Sequence, residues 1–241
     1  MPRALPLLVG CAVLAVACGG SPTRPTDASR AARLSRTRFL AFGDSITSGE
    51  VTAPIGEGDG LISRHVVVPA ASYPTQLHLL LDVHYASQAS AITVINAGLG
   101  GENTFRAVSR FDDELATNAP DAAIIMHGIN NLAVDRGDVL TILIRSMVQS
   151  AKSRGVTVFV GSMLPTVPDR LKSQSQTLVE DYNARLKQMS MEEGVVFVDL
   201  YNALRPEAAS VIGIDGLHPT EAGYRRIAEV LFTAIASTLE E

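Results

Sequence analysis

The segment Phe39-Leu40-Ala41-Phe42-Gly43-Asp44-Ser45 (residues 39–45) decides the fold class. Four consecutive apolar residues run without polar alternation into a glycine, an acid and a serine, as in a strand covered on both faces that ends in a polar turn. Four further runs share that character: Ile92 to Ile95, Ala122 to Met126, Val156 to Val160 and Val195 to Val198. Segments of helical period separate and follow them, at Tyr73 to Tyr85, Thr104 to Thr117, Asp138 to Ser153, Gln176 to Glu193 and Glu221 to Leu239. Regular strand–helix alternation predicts an α/β protein, a three-layer α/β/α sandwich around a parallel sheet with right-handed crossovers. The sequence contains no internal repeat.

At 241 residues, with 46% hydrophobic and 19% charged residues, the chain suits one domain with a substantial core. Its net charge of -5 and dispersed basic residues give no reason to expect a nucleic acid partner. The first residues carry an apolar run from Ala4 to Ala17, broken only by Pro6 and Gly10. That run is shorter than the about 20 residues a membrane-crossing helix needs, and it reads as a secretory signal. Leu14-Ala15-Val16-Ala17-Cys18 resembles a bacterial lipobox, in which Cys18 is lipidated and becomes the mature first residue. Ala15 stands where that pattern prefers a larger aliphatic residue, so ordinary signal-peptidase cleavage is the alternative. The expected organisation is a signal peptide over 1–17, a flexible linker over 18–36 and a folded domain over 37–241. The expected location is the cell envelope as a lipoprotein, otherwise the periplasm or the medium, with membrane contact only through the anchor. Both cysteines, Cys11 and Cys18, precede the domain, which excludes a disulfide, a cysteine nucleophile or a zinc–thiolate site within it.

Ligands of open α/β sheets bind beyond the carboxyl ends of the strands. The polar clusters that follow the first three apolar runs are therefore the candidates, together with Asp215-Gly216-Leu217-His218-Pro219 ahead of the last helix. Ser45 offers a hydroxyl at the first strand end. His218 can take its proton, and Asp215 can hold the imidazole and stabilise its charged form. Gly101, within Asn96-Ala97-Gly98-Leu99-Gly100-Gly101-Glu102-Asn103, lets backbone approach a substrate and present an N–H. Asn130, within His127-Gly128-Ile129-Asn130-Asn131, offers a side-chain amide. Each cluster alone has an ordinary structural reading: a helix-capping turn, a chance Asp and His three apart, a flexible connection, a loop asparagine.

Taken in order, Gly43-Asp44-Ser45, Gly101, Gly128-Ile129-Asn130 and Asp215-Gly216-Leu217-His218 resemble the four signature blocks of the SGNH, or GDSL-type, hydrolases. The resemblance runs from Phe39 to the final helix. It implies a flavodoxin-like five-stranded parallel sheet, Ser45 as nucleophile, and Asp215 with His218 as the dyad. It further implies Ser45, Gly101 and Asn130 as oxyanion donors, no metal and no cofactor. The implied activity is hydrolysis of carboxylic esters or thioesters through an acyl-enzyme, on a small-molecule, lipid or glycan substrate. Two positions depart from the pattern: Ile46 follows Ser45 where Leu is usual, and Asn131 stands where Asp is frequent, which removes a formal charge beside the site.

Two other functions compete with this reading. One is a cell-envelope binding protein that holds an acylated glycan or lipid without cleaving it. The other is a metal-dependent hydrolase using Asp44, His127 and Asp215. Of the remaining histidines, His78 and His84 are six apart on one helical segment, a poor spacing for a shared metal, and His65 stands alone in a loop. His127 is expected to support the site from behind. Residues 50–72 are longer than a tight connection needs, which makes them the first candidate for substrate selection or else a disordered insertion.

Overall fold

The computed structural model describes Met1 and residues 32–54, 63–135 and 137–241. The expected signal peptide, Cys18 and most of the expected linker lie outside the described residues. The central sheet is built from β1 (Arg38–Gly43), β4 (Thr93–Gly98), β5 (Ala122–Met126), β6 (Thr157–Gly161) and β7 (Val196–Val198). They pair in the order β4-β1-β5-β6-β7, every pair parallel. This is the doubly wound arrangement in which the strand order reverses between β1 and β5, and so opens a crevice at their carboxyl ends. β1 and β5 are apolar and buried because both faces are covered.

Helices α2 (Tyr73–His84) and α8 (Glu221–Leu239) pack together, and α3 (Thr104–Asn118), α4 (Gly137–Ser153) and α5 (Gln176–Glu193) pack in series, so that helices lie on both sides of the sheet. The five strands and five long helices expected from the apolar runs are all present, with edges shifted by no more than three residues. Short helices add α1 (Ser45–Ser48), α6 (Leu200–Leu204) and α7 (Ala208–Val211). Ordered contacts begin ahead of Thr37: Leu34 is buried and exchanges hydrogen bonds with the Gln88 side chain at 2.7 and 3.1 Å. Leu34 is the large apolar residue of the Gly19 to Arg36 stretch, and burying it offsets the ordering of its neighbours.

The register sets the site. Gly43 pairs with Gly98 of β4 and with Met126 of β5, so three strands end at one level. Gly98 is required by a close approach, because a Cβ there would stand 2.1 Å from the Ser48 backbone nitrogen. Between α1 and α2, the chain forms a separate antiparallel hairpin, β2 (Glu50–Pro54) with β3 (Ser63–Val67), where a loop or disordered insertion was expected. Its strand signal is the β-branched content of Val51, Thr52, Val66 and Val67, obscured in sequence by Pro54 and the glycines beyond it. The hairpin is tied down where Tyr224 Oη donates to Glu50 O at 2.5 Å and Val68 N donates to Gly49 O at 3.0 Å.

Gly98→Ala should push α1 off β4 and cost about 2 kcal/mol or more. Scanning calorimetry should then show a Tm about 4–8 °C below wild type; an unchanged Tm would mean that the backbone contact yields.

Candidate active site

Ser45 opens α1 directly after β1. The Asp44 carboxylate caps this helix by accepting from Ile46 N at 3.0 Å, which holds the turn and leaves the serine at the strand-end level. Asp44 is buried, and burial pushes its carboxyl above the usual range against the opposing pull of His127, the Ile46 N–H and His218. On the other side of the crevice, residues 211–220 close into a tight loop. Ile212 and Pro219 form a bridge, Gly213 N donates to His218 O at 2.7 Å, and Thr220 caps α8. Within that loop Asp215 Oδ1 accepts from the backbone of Leu217 and of His218, both at 3.0 Å. Asp215 Oδ2 lies 2.6 Å from His218 Nδ1, and His218 Nε2 lies 2.9 Å from Ser45 Oγ. All three residues are buried. Burial alone would raise the Asp215 carboxyl. The His218 ring hydrogen bond and the two backbone donors outweigh it, so the group is held below its usual value and stays ionised. An ionised Asp215 places the His218 proton on Nδ1 and leaves Nε2 as the acceptor facing the serine.

Gly101 and Asn130 line the same cavity of about 540 Å³ as Ser45 and His218. Gly101 takes φ +69°, a backbone conformation suited to glycine. Asn130 Nδ2 donates one hydrogen to Glu102 O at 3.2 Å, which orients the amide and leaves its second hydrogen for the cavity. Behind these loops Glu102 accepts from Arg110 Nε at 2.7 Å and meets His127 Nε2 at 3.2 Å. Arg110 also donates to Ala97 O of β4 at 2.9 Å and to Gly43 O of β1 at 3.1 Å, and its guanidinium lies 4.1 Å over the Phe42 ring. One side chain thus ties the ends of two strands to the loop that carries Gly101. His127 stands as the supporting residue expected of it, buried between Glu102 and Thr104. Asn131, at the position where the family pattern frequently has Asp, accepts at Oδ1 from Thr104 N at 2.9 Å while its Nδ2 donates to Asp135 at 2.7 Å.

Asp44, His127 and Asp215 do not converge as a ligand set, because each is committed to a different partner. His65, expected to be isolated in a loop, is a β3 residue at the cavity, with Nδ1 3.0 Å from Glu50 Oε2 and its ring edge-to-face with His218 at 4.7 Å. Lys172 Nζ lies 2.8 Å from His65 Nε2, and Lys172 N donates to Asp215 O at 2.7 Å. Glu50 lies in the segment 50–72 expected to take part in substrate selection, whereas Leu171, Lys172 and Gln174 are lining residues that sequence reasoning missed. These three follow the end of β6, where the strand-end rule could have found them.

A buried Ser, His and Asp in hydrogen-bond series recurs on unrelated hydrolase folds, and here it stands at the carboxyl edge of a doubly wound α/β sheet. A family model described as the GDSL-like lipase/acylhydrolase family matches residues 41–226, and the chain belongs to that family. No curated protein sequence gives a significant match. Among solved structures, a lipase/acylhydrolase from Enterococcus faecalis superimposes with a TM-score of 0.69 at 22% identity, covering 84% of this chain and 97% of that one. TesA gives 0.65 at 20% identity, covering 83% and 99%. Axe2, an acetylxylan esterase from Geobacillus stearothermophilus, gives 0.64 at 21% identity, covering 84% and 94%. At these identities the likeness establishes the fold, and family membership establishes ester hydrolysis as the general activity.

The Glu102 carboxyl is pushed up by burial and pulled further down by hydrogen bonds from His127 and Arg110, to about 2 against an ordinary 4.5. A depressed carboxylate stabilises the fold above its unfolded value, and that contribution is lost as pH falls from about 4.5 through about 2. Glu102→Gln should cost about 3 kcal/mol at pH 7. Urea unfolding at a series of pH values should show the gap to wild type closing below pH 4.5; a gap independent of pH would assign the loss to packing.

Proposed function

We propose that the protein is a serine esterase that cleaves carboxylic esters or thioesters through an acyl-enzyme on Ser45. The observation that carries this reading is the series Ser45 Oγ, His218 Nε2, His218 Nδ1, Asp215 Oδ2, with contacts of 2.9 and 2.6 Å. Ser45 Oγ attacks the acyl carbon as its proton passes to His218 Nε2, and the ionised Asp215 stabilises the imidazolium. The carbonyl oxygen becomes an oxyanion facing the N–H groups of Ser45 and Gly101 and the amide of Asn130. His218 returns the proton to the departing alcohol or thiol. A water then repeats the sequence and releases the acid. Among the described residues the apolar lining is Ile129, Leu171 and Leu217, beside the polar Glu50, His65, Asn130, Lys172 and Gln174, and this favours a short acyl group on a polar alcohol. The acetylxylan esterase among the similar structures is consistent with that size.

Fluorophosphonate labelling with hydrolysis of a p-nitrophenyl acyl series tests the reading. Wild type should label and Ser45→Ala should not, Asn130→Ala should lose about 100-fold to 1000-fold in kcat, and turnover should fall from acetyl to longer chains. A folded wild type that neither labels nor turns over any ester would favour the non-cleaving binding protein.

The N-terminal sequence supports export with a lipid on Cys18; the family supports small-molecule, lipid or glycan esters as substrates, and the net charge of -5 gives no reason to expect a nucleic acid partner. Mass spectrometry of the mature protein from a bacterial host should show a diacylated Cys18 at the amino terminus; an unmodified terminus would place the protein in the periplasm or medium.

A further inference from the structure

We infer that Glu50, His65 and His218 form a binding site for a zinc-class divalent cation that, when filled, withdraws the general base from Ser45. The ligand atoms of these three residues lie within 4.8 Å of one another. They come from three parts of the chain: β2, β3 and the loop before α8. Zinc bound at about 2.0–2.2 Å to nitrogen and carboxylate oxygen sets tetrahedral ligands about 3.3 Å apart. Glu50 Oε2 stands 3.0 Å from His65 Nδ1 and 3.6 Å from His218 Nε2, on either side of that spacing. A turn of the partly exposed His65 ring is the adjustment that remains. Two imidazoles and one carboxylate with a fourth position left to water are an established zinc set, and these donor types suit zinc over magnesium or calcium.

The groups behind the ligands point the same way. Asp215 accepts from His218 Nδ1 at 2.6 Å, which fixes the tautomer with Nε2 free, as a carboxylate behind a zinc-bound histidine does. His65 Nε2 is 3.9 Å from the same Asp215 oxygen, beyond hydrogen-bond reach while Lys172 holds that edge. Glu50 and Asp215 bring two carboxylates to a cluster that Lys172 joins with an ammonium, against the His65 Nε2 edge at 2.8 Å. Lys172 opposes a cation electrostatically and holds His65 away from its ligating pose. Removing it should strengthen zinc, whereas removing a ligand should weaken it.

The occupied site is an off state. His218 Nε2 has one lone pair, and a cation that takes it leaves Ser45 without a proton acceptor. This consequence rests on the esterase reading, but the binding site does not. The test titrates zinc chloride into the full chain by calorimetry in a non-chelating buffer, beside fluorophosphonate labelling with and without a chelator. Wild type and Ser45→Ala should both bind one zinc. His65→Gln and Glu50→Gln should each weaken it about tenfold or more, and Lys172→Met should tighten it. Labelling of wild type should stop with zinc and return with chelator. Absent binding, or binding unchanged in both ligand variants, would overturn the site, and zinc that raises turnover would overturn the off state. A wild type that binds zinc as described yet never labels would defeat the esterase reading and leave the site standing.

Discussion

Everything at the site depends on three parallel strands ending at one level. Gly43, Gly98 and Met126 share a register, so the turns carrying Ser45, Gly101 and Asn130 leave the sheet side by side. A parallel sheet that stops abruptly leaves backbone carbonyls without partners, and buried carbonyls need donors. Arg110 supplies them to Gly43 and Ala97 while its remaining donors hold Glu102. The same guanidinium therefore satisfies the strand ends and anchors the loop next to Gly101. Glu102 in turn reaches Asn130 through its carbonyl and His127 through its carboxylate. Asn130 is thus held by the Glu102 carbonyl, and the Glu102 side chain by charge-assisted bonds from Arg110, so the loop beside Gly101 is fixed where small displacements would be costly.

The histidine is positioned by a different device. Asp215 and His218 are three residues apart, and the carboxylate that holds the imidazole also accepts from the backbone between them. Their mutual geometry is local and depends little on the sheet. Its long-range component is the placement of the loop against Ser45, through the bridge at Ile212 and Pro219, the start of α8, and Arg170, which donates to Ile212 O and Gly213 O at 2.8 Å. A rigid local pair carried on a helix start can thus meet a rigid nucleophile turn with one adjustable relation between them.

The wall of the cavity has a third origin. The β2–β3 hairpin and the segment after β6 bring Glu50, His65, Lys172 and Gln174 around groups that come from the strand-end motifs. These charges lie beside the reacting atoms without belonging to the Ser–His–Asp series. Substrate choice and any control by ions are therefore expected to reside in this wall, since it can change while the strand ends stay fixed.

By itself the sequence determined the sheet, the long helices and the Ser45, Asp215 and His218 series, because these rest on local patterns. Five unbroken apolar runs can be stable only when covered on both faces, and Gly-Asp-Ser, Gly-Ile-Asn and Asp-Gly-Leu-His each concentrate their chemistry within four residues. The strand-end rule then placed those motifs together without a distance being known. Tertiary structure alone decided the convergence of Glu50, His65 and Lys172, the clamp of Arg110 on two strands, and the contacts of Asn131 with Thr104 and Asp135. His65 and Lys172 are 107 residues apart, and Arg110 and Gly43 are 67 apart. No periodicity records such pairs, because a side chain's long-range partner is set by how layers pack and by where a hairpin folds over the sheet edge.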